Sequence, residues 1–256
     1  MSDINYIGIW TLYRKEVHRF LKVYNQTLLA PVVTSLLFLA IFNLALGGQV
    51  HKIGEINFSN FMAAGLIMMA VMQQSFANTS SSFIMAKVLG TIIDYITPPL
   101  STAELIFAII FAGITRGIII GILVFTSLLF FIPVHIHSVF YLLFYLLSAS
   151  TLLALLGLFS GIISESFDQM AAITAYIITP LSFLSGTFYS VTNLPPFWQH
   201  ISHANPFFYM IDGFRYGLTG YHDSNLTTGL LLVTFSIIMI WSIVHTMIAK
   251  GYRIKQ

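Results

Sequence analysis

Three ionisable residues stand in strongly apolar stretches of this sequence, where charged side chains are costly and usually have a function. Asp212 and Arg215 carry opposite charges three residues apart in Asp-Gly-Phe-Arg. Arg116 lies inside the apolar run Ile106–Ile132. The chemistry open to such residues is an ion pair or a contact with a solute inside a membrane.

Arg116 needs a counter-charge from another part of the chain. Glu104 is too far, because the intervening residues span about 18 Å along a helix. Glu165 and Asp168 follow the next apolar run and are better partners if Arg116 extends toward their side. Two interpretations stay open, a static structural pair and a contact with a substrate.

Other chemistries find little support in the sequence. His135 and His137 flank one residue, but no carboxylate lies nearby, so no metal site is predicted. The chain has no cysteine and no His-Glu-x-x-His motif, and no catalytic residues are predicted. It also lacks the Gly-rich loop ending in Gly-Lys-Ser/Thr, so it is not expected to hydrolyse ATP or to bind a cofactor.

Composition defines the class of protein. Of 256 residues, 57% are hydrophobic and only 8% are charged, whereas a soluble domain has about 25% charged residues. A membrane helix needs about 20 apolar residues, and the chain contains six such runs without the alternation of a β-barrel. We predict an all-α membrane protein, one permease domain over residues 1–256, with spans at Thr27–Leu46, Phe58–Ala77, Ile106–Ile132, Val139–Ile163, Met170–Tyr189 and Thr228–Ala249.

Basic residues give the orientation. Eight of them precede the first span, follow the last or lie in the loop after the second span, whereas Lys52 and Arg215 fall on the other side. By the positive-inside rule, both termini are predicted to be cytoplasmic.

The amino-terminal segment, residues 1–25, is predicted to form an amphipathic helix in the membrane interface. An aromatic face, including Trp10 and Phe20, opposes a basic face that includes Arg14 and Lys15. The helix serves as a plain topology anchor, as a contact for a soluble partner, or as both.

The loop at residues 79–104 is predicted to be cytoplasmic. Its apolar residues Val88, Leu89, Ile92, Ile93 and Ile96 form a stripe on a short helix that Pro98 and Pro99 must end. Ser101 and Glu104 have the spacing of a capping box for the next helix. The stripe suits docking into another protein, and packing under the helix bundle is an equal alternative.

The stretch from Asp168 to Gly220 combines an apolar run with an aromatic, proline-rich loop. The run contains Pro180 and Gly186, and the loop continues through Leu194–Trp198 and Asn205–Tyr209. Because such a loop is poorly suited to water, residues 190–226 are expected to dip into the outer edge of the bilayer.

These motifs together resemble the type-2 permease family of ABC exporters, most of all its YadH-type inner-membrane permeases, over essentially the whole chain. The resemblance rests on Gly90–Asp94, Thr97–Ser101 and Glu104, and on Phe183–Gly186, Leu194–Pro196, Asn205–Pro206, Tyr209 and Arg215. It implies half of a transporter in the bacterial inner membrane. Two such permeases would form a homodimer, and each would contact a separate ATPase subunit that holds ATP and Mg.

The resemblance also implies roles for particular residues. The coupling helix, seated on the ATPase, would comprise Lys87, Val88, Leu89, Gly90, Thr91, Ile92, Ile93, Asp94, Thr97 and Pro98. Short re-entrant helices would form an outer gate that includes Phe183, Gly186, Phe188, Tyr189, Pro195, Pro196, Pro206, Tyr209, Asp212 and Arg215.

The expected function is therefore the membrane subunit of an ATP-driven exporter of a lipid-linked glycan, a lipid or a drug, in contact with membrane lipid and not with nucleic acid. An ion-coupled carrier or channel is the alternative. It is disfavoured because the acidic residues fall near span ends or in loops, whereas ion-coupled carriers place them at mid-membrane.

Overall fold

The structure is a computed structural model that describes residues 4–46, 52–54, 56–133 and 136–253. A short hairpin of β1 (Lys52–Ile53) and β2 (Ile56–Asn57) precedes the longest helix. In the described residues the helices are α1 (Tyr6–Leu21), α2 (Ala30–Leu46), α3 (Phe58–Val88), α4 (Ile93–Ile96), α5 (Thr102–Leu129), α6 (Val139–Ile163), α7 (Phe167–Ile173), α8 (Thr179–Leu184), α9 (Pro196–Ala204), α10 (Pro206–Thr219) and α11 (Leu226–Ala249).

Within the residues that the structure describes, five segments are long and apolar enough to cross a membrane: Asn25–Leu44, Thr102–Leu129, Val139–Ile163, Phe167–Leu184 and Leu226–Ala249. They coincide with five of the six predicted spans. The other predicted span, Phe58–Ala77, lies in α3, whose second half contains Gln73, Gln74 and Asn78. These polar residues lower its hydropathy below that of the five.

Helix α3 is the centre of the bundle and packs against α2, α5, α6 and α10. Its buried residues lie on every face, so it has no continuous apolar stripe. The contact with α6 is at backbone distance, since a Cβ on Gly157 would collide with the carbonyl group of Phe76. A helix enclosed in this way does not need the lipid-facing hydropathy of its neighbours.

Two helices contain a π-helical turn directly before a proline-bearing segment. Asn25–Leu29 precedes α2, which carries Pro31, and Thr174–Ile178 lies between α7 and α8, which carries Pro180. Proline lacks an N–H and its ring clashes with the carbonyl group four residues earlier, so the wider turn accommodates it.

The predicted span Met170–Tyr189 extends too far at its carboxyl end. Helix α8 stops at Leu184, and Gly186 has a φ of +73°, a conformation open to glycine. The Thr187 hydroxyl donates to the Ser182 carbonyl group at 2.8 Å and holds the turn that follows. Phe188 and Tyr189 therefore belong to this turn and not to the helix.

Candidate functional site

One end of the bundle gathers α1, α4, the start of α5 and residues 250–253. Buried apolar residues from α1, α3, α4, α5, α6 and α11 form a cluster there. The Lys87 ammonium group donates to the Ile162 carbonyl group at 2.8 Å, and the Arg253 guanidinium donates to that of Ile163 at 2.6 Å. Two cations thus cap the carboxyl end of α6, where the helix dipole favours positive charge.

The predicted coupling helix is shorter than expected. Lys87 and Val88 belong to the last turn of α3, Gly90 adopts a φ of +72° that breaks the helix, and α4 covers only Ile93–Ile96. Glycine is favoured at such a backbone conformation, which explains why the apolar spacing did not continue as one helix.

The loop is nonetheless an exposed apolar surface. Leu89 and Ile93 are each 65% exposed, and Val88 and Ile96 about half. Ile92 instead turns inward and lines a cavity of about 270 Å³ together with Tyr95, Leu105 and Ile248. Gly90, Thr91, Asp94 and Thr97 are exposed, and Pro98 is partly buried. We call Val88, Leu89, Ile93 and Ile96 the apolar loop surface.

A buried carboxylate, Glu16, anchors this loop to α1. Its two oxygens accept hydrogen bonds of 2.6 Å from the hydroxyl groups of Tyr95 and Ser82, and Arg19 Nε lies 3.2 Å away. Burial, followed by the charge of Glu16, raises the pKa of the Tyr95 phenol, so this group remains a neutral donor. Helices α1, α3 and α4 therefore meet at one side chain.

Further hydrogen bonds join α1 to the bundle. Arg19 Nη2 donates to the Asn78 carbonyl group of α3 at 2.7 Å. Ser101 and Glu104 form the predicted capping box, and Glu104 Oε1 also accepts the backbone N–H of Asn5 at 2.8 Å. The start of α1 and the start of α5 are thus tied to the same carboxylate.

The predicted partners of Arg116 are wrong. Glu165 instead lies 3.5 Å from Arg253, and Asp168 is exposed in the first turn of α7. Arg116 donates to Gln74 Oε1 on α3, which is a neutral acceptor. The guanidinium lies near the middle of α5 and does not reach the end of the bundle where Glu165 and Asp168 lie.

The opposite end contains α9, α10 and the turn after α8. Asp212 and Arg215 of α10 are fully buried, with 3.7 Å between a carboxylate oxygen and Arg215 Nη1. Asp212 accepts from the backbone N–H groups of Asp223 and Ser224 and from the Ser224 hydroxyl. Arg215 donates to the Gly186 carbonyl group at 2.6 Å, and its Cζ lies 3.7 Å from the centre of the Phe61 ring.

This pair is therefore a structural junction between α10, the turn after α8, α3 and the loop before α11. No local pattern indicated that both side chains are inaccessible. Asp212 and Arg215 were predicted to belong to the outer gate, and in the structure neither side chain has any exposed area.

The other predicted gate residues divide into two groups. Phe188 stacks on Phe42 of α2 and on Phe183, and the Phe183 ring meets Phe38 of α2 edge-on. Tyr189 donates to the Leu184 carbonyl group at 3.1 Å. Pro196 and Pro206 begin α9 and α10, Pro195 precedes α9, and Tyr209 is buried against Phe208. Aromatic packing thus joins α2 to the turn after α8.

The comparison with known families decides the assignment. The model of the ABC-2 type transporter family matches residues 8–219, well over half of the chain. The chain belongs to the ABC-2 type transporter family.

Individual relatives agree with this family. The chain is 36% identical over 251 residues, 98% of each protein, to the Escherichia coli K12 protein named inner membrane transport permease YadH. It is 21% identical to nodulation protein J of Neorhizobium galegae over 88% of this chain and 85% of that protein.

Glu16 was not predicted as a functional residue of this ABC-2 chain. Its neighbours Arg14, Lys15 and Arg19 suggested a uniformly basic face, whereas Glu16 lies on the buried face with Leu12 and Phe20. The spacing of four residues between Leu12, Glu16 and Phe20 could have indicated that Glu16 shares their face of the helix. In the part of the chain that the structure describes, no three His, Asp or Glu residues are grouped for a metal; His135 lies outside it.

Proposed function

We propose that this chain is the membrane-spanning subunit of an ATP-driven ABC exporter in the bacterial inner membrane. Two copies would form a homodimer, and each would be driven by a separate ATPase subunit that binds ATP and Mg. The cargo would be an amphipathic or hydrophobic molecule, such as a lipid-linked glycan, a lipid or a drug. The family of the chain and the name of its E. coli relative support this proposal.

The apolar loop surface is the observation that carries it. Leu89 and Ile93 are 65% exposed at the end of the bundle that also holds Lys15, Lys87, Lys250 and Arg253. Basic residues on one side of a membrane protein indicate the cytoplasmic side, where exposed apolar side chains are not covered by lipid tails. Binding of a protein partner would bury these apolar side chains.

In this arrangement α3 also crosses the membrane, which brings the number of spans to six. Its 31 residues correspond to about 46 Å, enough to cross the bilayer and carry the loop beyond it. Both termini would then be cytoplasmic, and α9 and α10 would be re-entrant helices on the outer side. Rigid movement of the ATPase would be transmitted through α4 and Glu16 to α1 and α3.

The test is co-purification of the ATPase with the tagged chain from mild detergent, followed by an ATPase assay. Ile93→Arg places a charge on the apolar loop surface and is expected to lower ATPase recovery about ten-fold or more, because a charge opposite an apolar patch is costly to bury. Ile136→Arg is the control. Ile136 is the same residue type, half exposed, in the loop at the far end of α5.

The two variants discriminate between explanations. Normal ATPase recovery with Ile93→Arg would reject the apolar loop surface as the docking site. Equal loss with Ile136→Arg would show that the charge impairs folding and not docking. Recovery of no ATPase with the unchanged chain would contradict the proposed function itself.

A further inference from the structure

Arg116 is a buried cation without a buried anion. It is 6% exposed, its Nε has no hydrogen-bonding partner, and its one hydrogen bond is from Nη2 to the neutral Gln74. Within the described residues the arginine–carboxylate pairs are Arg19–Glu16, Arg215–Asp212 and Arg253–Glu165. Arg116 is in none of them.

An arginine in this position stays charged, because its guanidinium does not lose its proton in proteins. The Phe20 ring, 6.0 Å from Arg116 Cζ, offers only a weak cation–π contact. Uncompensated charge inside the membrane region is costly, and the chain keeps it at the middle of an apolar helix. An anion from outside the chain would compensate this charge.

A cleft of mixed polar and apolar lining lies next to Gln74, the hydrogen-bonding partner of Arg116. It has a volume of about 180 Å³ between the start of α2 and α3, and Gln74 belongs to its wall. Gln26, Gln73, Thr34 and Ser35 also line it. Among the described residues, the side-chain amides of Gln26 and Gln73 have no hydrogen-bonding partner, so they are available to a ligand.

Gln74 connects the cleft to the charge. Its side chain lines the cleft, and its Oε1 accepts from Arg116. An anionic oxygen entering the cleft could replace the amide oxygen of Gln74 as the acceptor and use the unpartnered donors of the guanidinium. Charge-assisted hydrogen bonds of this kind are stronger than the neutral one they replace.

We propose that the cleft between α2 and α3 binds the anionic headgroup of an amphipathic molecule, with Arg116 as its counter-charge. The amides of Gln26 and Gln73 would donate to the same headgroup. A resident membrane lipid and a transported lipid-like substrate share this chemistry. Only the second source rests on the proposed function, and binding itself does not require the ATPase.

The test is binding of short-chain phosphatidylglycerol to the purified full-length chain in detergent, measured as a rise in the apparent melting temperature. Short-chain phosphatidylcholine provides the neutral-headgroup comparison. Arg116→Gln is expected to weaken the apparent affinity for phosphatidylglycerol about ten-fold or more, because one charge-assisted contact is lost. Gln73→Leu should weaken it less, and it keeps the test valid if Arg116→Gln does not fold.

Arg253→Gln is the matched control, since it removes an arginine of which the side chain is 45% exposed at the end of the bundle. It should bind phosphatidylglycerol as the unchanged chain does. Equal loss with Arg253→Gln, equal binding of both lipids, or unchanged binding by both Arg116→Gln and Gln73→Leu would overturn the site. Equal affinity for glycerol 1-phosphate, which has no acyl chain, would overturn the amphipathic ligand.

A second measurement separates the two sources of the headgroup. With the partner ATPase present, hydrolysis of ATP should release a transported ligand from the cleft and leave a resident lipid bound. Either result supports the binding site. If no ATPase associates but Arg116→Gln still loses phosphatidylglycerol binding, the proposed function fails and this site stands.

Discussion

At the scale of single residues, two buried carboxylates connect separate elements of the chain. Glu16 receives hydrogen bonds from α1, α3 and α4. Asp212 receives them from Asp223 and Ser224 in the loop before α11 and forms an ion pair with Arg215 of its own helix. In both cases an arginine three residues later on the same helix supplies the opposite charge. A buried charge is tolerated when it is paired and its remaining lone pairs are used, and both sites satisfy that condition.

Asp212→Asn should destabilise the protein strongly. It leaves Arg215 buried without its counter-charge, which costs about 3–5 kcal/mol when one partner of a buried pair is removed. The measurement is thermal unfolding of the purified chain in detergent. Glu165→Gln is the control, because its pair with Arg253 is about half exposed and worth about 0–1 kcal/mol. Similar losses in the two variants would contradict the junction assigned to Asp212.

The sequence identified these charged residues but not their surroundings. The spacing of Asp212 and Arg215 places them on one helix face, and their ion pair agrees with it. The contacts of Arg215 with Gly186 and Phe61 join residues distant in the chain, so no local pattern could indicate them. For Arg116, the prediction of a carboxylate partner was wrong, because its partner in the structure is the neutral Gln74.

At the scale of elements, α4 illustrates the difference between an apolar pattern and a helix. The residues Val88–Ile96 have helical spacing, but Gly90 interrupts the backbone and Ile92 turns toward the cavity. The capping box at Ser101 and Glu104 was predicted correctly, because capping depends on residues close in sequence. The π-helical turns before Pro31 and Pro180 were not predicted, because apolar spacing does not distinguish them from regular α-helical turns.

Tyr95→Phe is expected to separate docking from transmission. It removes one hydrogen bond to the buried Glu16, at a cost of about 1–3 kcal/mol for a buried group left unsatisfied, and leaves the apolar loop surface unchanged. The ATPase should still co-purify, while its stimulation by the membrane subunit should fall several-fold.

The measurement for Tyr95→Phe is ATPase activity per bound ATPase subunit, with recovery of the complex measured in parallel. Tyr252→Phe is the matched control, because Tyr252 is half exposed at the same end of the bundle. Loss of ATPase recovery together with activity would assign Tyr95 to docking. Unchanged stimulation would exclude Glu16 and Tyr95 from transmission.

At the scale of the whole molecule, hydropathy identifies the strongly apolar helices readily, but it does not identify the central helix α3 as a span. The apolar segments that contain α2, α5, α6 and α7 pack against α3, which is enclosed and carries amides and hydroxyl groups in its second half. In the bundle, Gln74 hydrogen-bonds to α5, Thr79 to α6, and Asn78 and Ser82 to α1. Composition alone therefore does not decide between five and six spans. The number is six if α3 crosses the membrane and five if it does not.

Cysteine labelling can determine whether α3 crosses the membrane, because the chain has no cysteine of its own. Lys52→Cys and Thr91→Cys place one thiol at each end of α3, at exposed positions. A maleimide that cannot cross the membrane, added to intact spheroplasts, is expected to label Lys52→Cys and not Thr91→Cys. Permeabilised spheroplasts should label both, which controls for thiol accessibility.

Two further positions extend the test to the rest of the bundle. Asn193→Cys, in the turn before α9, should behave like Lys52→Cys, and Asp168→Cys, in the first turn of α7, should behave like Thr91→Cys. Six crossings with the basic end of the bundle in the cytoplasm place positions 52 and 193 outside and positions 91 and 168 inside. Labelling of Thr91→Cys in intact spheroplasts, on the same side as Lys52→Cys, would mean that α3 does not cross. The apolar loop surface would then face away from any cytoplasmic ATPase, and the proposed function would lose its docking site.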